Sequence, residues 1–158
     1  MITHDGREIL HFNFTEHPTV PWVIQQLREA FPGETPIEIL IDDYDAILSG
    51  KVLEMIEALG IEPEPTSLGS LWQNGLAERW VGSVRRELLD HVVVFDELHL
   101  RRLLREYAAY YNEDRIDTRL RDAPRPRAAE NRASPTAKVI RSPRIPGLHH
   151  RYAWSEAA

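Results

Sequence analysis

A chain of 158 residues is long enough for one domain with a real core, and its lack of cysteine removes disulfides and thiolate metal sites. No apolar run approaches the roughly 20 residues that span a bilayer, and the amino terminus has no basic region or apolar signal core, so the composition reads as that of a soluble, cytoplasmic protein. The net charge of -6 argues against a uniformly basic nucleic-acid binder, yet it is uneven: up to Ser70 the bases are Arg7, Arg28 and Lys51, whereas from Leu71 onward arginines outnumber carboxylates, so any DNA is expected along the second half.

Asp5-Gly6 lies between Met1–Thr3 and the alternating run Ile9–Phe14, which predicts a hairpin turn followed by a strand. A helix follows Pro18, with Val20, Val23, Ile24, Leu27 and Phe31 as its apolar stripe and Pro21 tolerated in its first turn. Pro32-Gly33 ends it, and Ile37–Ile41, apolar apart from Glu38, predicts a short strand buried in a mixed sheet. Asp42 and Asp43 fall where that strand emerges.

A second helix is expected from about Gly50 to Leu59, capped by Ser49 and stopped at Gly60, then a brief strand near Ile61–Glu64. Pro65–Ser70 reads as a loop over a pocket. The third helix is expected over Gly75–Leu89 and a fourth over Leu98–Asn112, with Leu100, Leu103, Leu104, Tyr107 and Tyr111 inward and Arg101, Arg102 and Arg105 outside. From Arg119 to Arg144 the chain is rich in proline, arginine and alanine, a composition that predicts an irregular tail. Two parts are therefore expected, 1–114 as the folded core and 115–158 as the tail.

A carboxylate at the end of an apolar strand and another in the first turn of a helix can meet over one pocket and grip a divalent metal. Asp43 and Glu78 are the candidate pair. The plainer reading is a solvated strand end and a helix-start acid favoured by the macrodipole. Asp42, on the opposite phase of the strand, is expected to face solvent, and Asp45 to start a turn.

Three ordered blocks make the pattern specific: Leu40-Ile41-Asp42-Asp43-Tyr44-Asp45-Ala46-Ile47, Trp72-Gln73-Asn74-Gly75-Leu76-Ala77-Glu78-Arg79, and Gly82-Ser83-Val84-Arg85-Arg86-Glu87-Leu88-Leu89-Asp90-His91. The third continues through Leu98-His99-Leu100-Arg101-Arg102 and Tyr110-Tyr111-Asn112. In these blocks the stretch from Ile9 to about Asn112 resembles the catalytic core of bacterial insertion-sequence transposases and retroviral-type integrases, whose Asp-Asp-Glu triad sits on a ribonuclease H-like fold. The resemblance implies a mixed sheet flanked by helices, DNA strand cleavage and transfer assisted by Mg²⁺ or Mn²⁺, and transposon-end and target DNA as partners.

It also implies roles. Asp43 and Glu78 match the second and third members of the triad. The first Asp of such proteins lies on a strand upstream of the segment matching Ile9–Phe14, so the chain looks like an amino-terminally truncated core, lacking that strand and inactive by itself. Gln73 and Asn74 are DNA-contact candidates, although a turn leading into a helix explains Asn74-Gly75 equally well. Arg79, Arg85 and Arg86, with the arginines of the tail, are the phosphate-contact candidates, against the alternative of a solvated arginine face. His149-His150 has no spaced partners for a metal, and Trp22, Trp72 and Trp80 read as packing residues. The alternative function is a non-catalytic DNA-binding or oligomerising remnant that pairs with itself or with an intact transposase.

Overall fold

The computed structural model describes residues 1–33, 37–42, 45–48, 50–67, 71–127, 132, 134–145 and 147–156, apart from the side chains of Leu71 and Trp72. They divide into two compact units, Met1–Thr3 with Leu10–Arg79 and His4–Ile9 with Trp80–Ala158.

In the first unit, helix α1 spans Val20–Ala30 and starts where the Thr19 hydroxyl accepts from the Trp22 N–H at 3.3 Å, a cap that typically contributes about 1 kcal/mol. Strand β1, Ile39–Asp42, pairs in parallel with β2, Glu62–Pro65, from Ile39 opposite Glu62 to Asp42 opposite Pro65. Parallel neighbours need a crossover, and helix α2, Lys51–Ala58, supplies it. Gly50, with φ 53°, stands at the cap position without a side-chain bond, and the expected cap Ser49 lies outside the described residues. At the other end Gly60, at φ 76°, donates to the Glu57 carbonyl and Ile61 to that of Ile56, the left-handed closure that glycine permits. The core of this unit is Leu27, Phe31, Val52, Ile56 and Ile61, with Leu40, Leu53 and Leu59 packed against it.

Strand β2 has the sequence Glu-Pro-Glu-Pro. Glu62 donates to the Glu38 carbonyl at 2.7 Å and Thr66 to that of Asp42 at 2.9 Å, so the residues between them that face the other edge are Pro63 and Pro65, which have no N–H. That edge cannot continue the ladder, and a further strand could join this sheet only beside β1.

Three expectations for this unit are corrected. Ile9–Phe14 forms no strand: Leu10 and His11 both donate to the carbonyl of Met1, at 3.1 and 3.5 Å, and one shared acceptor does not make a ladder. The mixed sheet is replaced, among the described residues, by two separate two-stranded sheets. Ile39 and Ile41 are 51% and 43% exposed rather than buried, because a two-stranded sheet has its second face uncovered.

In the second unit, α3 ends at Glu87 (Gly75–Glu87) and α4 spans Glu97–Glu113, begun by Asp96, whose carboxylate accepts from the His99 N–H at 2.7 Å. The inward face of α4 is Leu103, Leu104, Tyr107, Ala108, Tyr111 and Asn112. The tail is partly ordered. Strands β3, Lys138–Arg144, and β4, His149–Ser155, form an antiparallel hairpin with Lys138 opposite Ser155 and Arg144 opposite His149. Composition missed it because the hairpin is anchored by ion pairs rather than by apolar burial: Arg151 meets both oxygens of Asp114 at 2.8 and 2.9 Å and Glu113 at 2.5 Å, and Arg144 meets the same two acids at 3.2 and 3.3 Å.

Glu87 holds this unit together. Its carboxylate accepts from the Tyr107 hydroxyl at 2.8 Å and from Arg115 in bidentate fashion at 2.8 and 2.9 Å, while its backbone carbonyl lies 3.2 Å from the His149 ring. Burial alone would raise the Glu87 pKa, but the hydrogen bonds from Arg115 and Tyr107 and the charge of Arg115 outweigh it and hold the carboxyl below its ordinary 4.5. Burial and the bond to Glu87 push the Tyr107 hydroxyl up. The Asn112 amide pairs twice with Ile9, donating to its carbonyl and accepting from its N–H, both at 2.9 Å.

Replacing Glu87 by Gln removes the charge that pairs with Arg115, and the expected loss is about 3 kcal/mol, read as a lower urea midpoint. Because the folded pKa is depressed, the carboxylate's contribution is complete above 4.5 and lost as pH falls through the lower folded value. Urea midpoints compared at pH 7 and pH 3 should therefore converge for wild type and Glu87→Gln in acid; an equal gap at both pH values would contradict this assignment.

Candidate DNA-facing active site

A parallel strand pair brings its two carboxyl-terminal ends together, and in the first unit those ends lead toward Asp42 and Thr66. A short 3-10 helix at Leu71–Asn74 packs against β1 and leads directly into α3. Gln73 pins this junction: its side-chain oxygen accepts from the Ser67 N–H at 2.6 Å, two residues beyond β2. The strand end and the start of α3 thus belong to one unit, held by a named contact.

Glu78 sits in the first turn of α3 and is exposed, a position where the helix macrodipole favours an anion. Its partner in the expected pair, Asp43, lies outside the described residues, as does Tyr44. Asp42 is 8% exposed and shares the inward phase of half-buried Leu40, so the expectation that it faces solvent is corrected; the face lost to solvent is the one carrying Ile39 and Ile41. Asp45 does start a turn, its carboxylate accepting from the Ile47 N–H at 3.0 Å. Asp5 is exposed in the turn His4–Gly6.

Of the other candidates in the first unit, Gln73 and Arg79 are exposed and Asn74 half-buried at the end of the 3-10 helix. In the second unit, Arg85 is 79% exposed and lies 3.9 Å from Asp90, a pairing of little energy at that exposure. The Arg86 guanidinium folds back over Gly82, where a Cβ would stand 2.9 Å from it. Both arginines present charge to solvent. Among the described residues no three His, Asp or Glu side chains gather as a metal site, and Asp43 lies outside those residues. No described helix is long and apolar enough to cross a membrane.

The sequence reading singled out neither Glu87 with Tyr107 and Arg115 nor the buried pair Arg7–Asp117, 3.2 Å apart. Tyr107 was visible as a buried helix position, but nothing in its spacing names the carboxylate 20 residues earlier that its hydroxyl requires.

Residues 59–124 match the family model described as an integrase core domain. Over 79 residues, half of the chain, the sequence is 29% identical to the transposase InsD for insertion element IS2A/D/F/H/I/K of Escherichia coli and to that for insertion element IS2D of Escherichia coli strain K12; the match spans 26% of the length of each. The fold is similar to a chain in the cryoEM structure of the simian T-cell lymphotropic virus intasome in complex with PP2A regulatory subunit B56 gamma, with a TM-score of 0.54 and 20% identity, covering 89% of this chain and 54% of that one. Over part of its length the chain is thus similar in sequence to an integrase core domain and to insertion-element transposases, and its fold is similar to that of an intasome chain.

Proposed function

We propose that this chain is part of a DNA-recombining core in which the end of β1 and the first turn of α3 meet DNA, with Asp43 and Glu78 as the acidic residues of the site. The observation that carries this reading is the packing of the 3-10 helix Leu71–Asn74 against β1, with Gln73 bonded to Ser67, which holds the start of α3 in the same unit as the strand leading to Asp43. Carboxylates are hard oxygen donors of the kind that Mg²⁺ and Mn²⁺ take, so these two residues would hold such an ion. When bound, the ion would supply charge stabilisation for phosphoryl transfer. Gln73 and Asn74 would bind and orient DNA, and Arg79, Arg85 and Arg86, all on α3, would meet phosphate.

With two matched acids and no match to the first, the chain by itself is inactive in strand transfer and acts with further copies or with an intact transposase. The experiment is a strand-transfer assay on a labelled oligonucleotide duplex with Mg²⁺ or Mn²⁺. The expected result is no product; product that disappears on Glu78→Ala would overturn the inactivity and identify a third acid within this chain. Glu78 is exposed, so Glu78→Ala should cost no more than about 1 kcal/mol of stability, and its effect can be read as chemistry rather than unfolding.

Duplex binding by the chain should be independent of sequence and should weaken steeply with salt, since phosphate contacts release counterions. Removing Arg79, Arg85 and Arg86 together should flatten the slope of log affinity against log salt by roughly two to three. An affinity unchanged between 50 and about 200 mM salt, or untouched by the triple replacement, would count against this surface.

A further inference from the structure

The β3–β4 hairpin has two unlike faces. Cross-strand partners Arg144 and His149 belong to one face, and Ser142 and Arg151 to the same one. That face is committed to the protein: Arg144 and Arg151 bind Glu113 and Asp114, and His149 stacks on Tyr110 with ring centroids 4.2 Å apart. The opposite face carries Val139 beside Trp154, Arg141 beside Tyr152 and Pro143 beside His150. It is open, with Tyr152 62%, Val139 55% and Trp154 38% exposed.

Three aromatic side chains therefore line one strand at alternate positions, His150, Tyr152 and Trp154, and they border an open cavity of about 470 Å³ that Ile116, Arg127 and the acids Glu113, Asp114 and Asp122 also line. The centroids of His150 and Tyr152 are 6.4 Å apart, nearly twice the rise of about 3.4 Å between bases stacked in a duplex strand. Bases resting on successive rings are thus unstacked from one another. Cations accompany the rings: Arg132 lies over the Trp154 ring at 5.4 Å and Arg141 stands opposite Tyr152. Asp114, which lines the cavity with Glu113 and Asp122, is shared by Arg127, Arg144 and Arg151, so Arg132 and Arg141 are the cations beside the rings that do not pair with it.

We infer that this face is a stacking platform for unpaired nucleotides, with His150, Tyr152 and Trp154 receiving bases and Arg132 and Arg141 meeting phosphates. The chemistry selects the occupant. Rings at this spacing suit an extended single strand, in which every base offers a π-face, while a duplex keeps its bases inside and would meet only the arginines. This rests on the proposed role at DNA and adds a preference for strand form, with a place for it.

The test is fluorescence anisotropy of the full chain with a labelled dT oligonucleotide and with a labelled duplex of equal length. The single strand should bind more tightly than the duplex. Tyr152→Ala and Trp154→Ala should each weaken single-strand binding by about ten-fold and leave duplex binding within two-fold. Tyr152→Phe, which keeps the ring, should retain affinity, and circular dichroism confirms that each variant is folded. Equal affinity for both forms, or alanine variants that bind the single strand as wild type does, overturns this inference and leaves the wider DNA reading standing. Binding to neither form at low salt overturns both.

Discussion

One residue, Glu87, ties together the end of α3, the middle of α4, the segment after α4 and the second strand of the hairpin. It can do so because it offers two kinds of acceptor. The carboxylate takes the buried Tyr107 hydroxyl and the Arg115 guanidinium, and the backbone carbonyl, at a helix end where carbonyls lack intrahelical partners, takes the His149 ring. Tyr107 is fully buried, so its hydroxyl needs a partner on the spot, and Arg115 in turn lies over the Tyr111 ring at 5.1 Å. Removing the carboxylate would leave a buried hydroxyl and a half-buried guanidinium without their shared acceptor, which is why this contact has more leverage than its surface counterparts.

The first unit depends on a different constraint. Two parallel strands demand a crossover helix, and α2 closes onto β2 through the left-handed turn at Gly60. The prolines of β2 shut one edge of the pair, and Gln73 fastens the loop after β2 to the 3-10 helix that starts α3. That contact fixes the entry into α3, whose first turn carries Glu78.

Electrostatics separates the two halves less simply than the charge count suggests. Many arginines of the second unit answer acids of the same unit: Arg7 with Asp117, Arg115 with Glu87, Arg125 with Glu8, and Arg144 and Arg151 with Glu113 and Asp114. The charge that faces solvent is carried by exposed arginines such as Arg79, Arg86, Arg102 and Arg141. Formal charge overstates the basic surface because it counts guanidinium groups that fold structure as well as those that face solvent.

The helices were legible in the sequence, since their signals are local. Pro21 in the first turn of α1, Gly60 after the α2 stripe and the inward Leu103, Leu104, Tyr107 and Tyr111 of α4 each act within a few residues, and each lies where the local sequence placed it. The motif blocks likewise pointed to the integrase core domain that residues 59–124 match, and Glu78 stands in the first turn of α3, where it was expected. Strands were less legible. Ile9–Phe14 has the alternation of a strand but no ladder beside it, and Lys138–Ser155 has the composition of a tail yet pairs along its length because two arginines find Glu113 and Asp114. A strand exists only when another stretch of backbone completes it, and an ion pair only when the fold brings its halves together. Local sequence decided the helices and the chemistry available; which residues became anchors, which face of β1 was buried and which aromatic rings of the hairpin stayed open were decided by contacts between residues far apart in the chain.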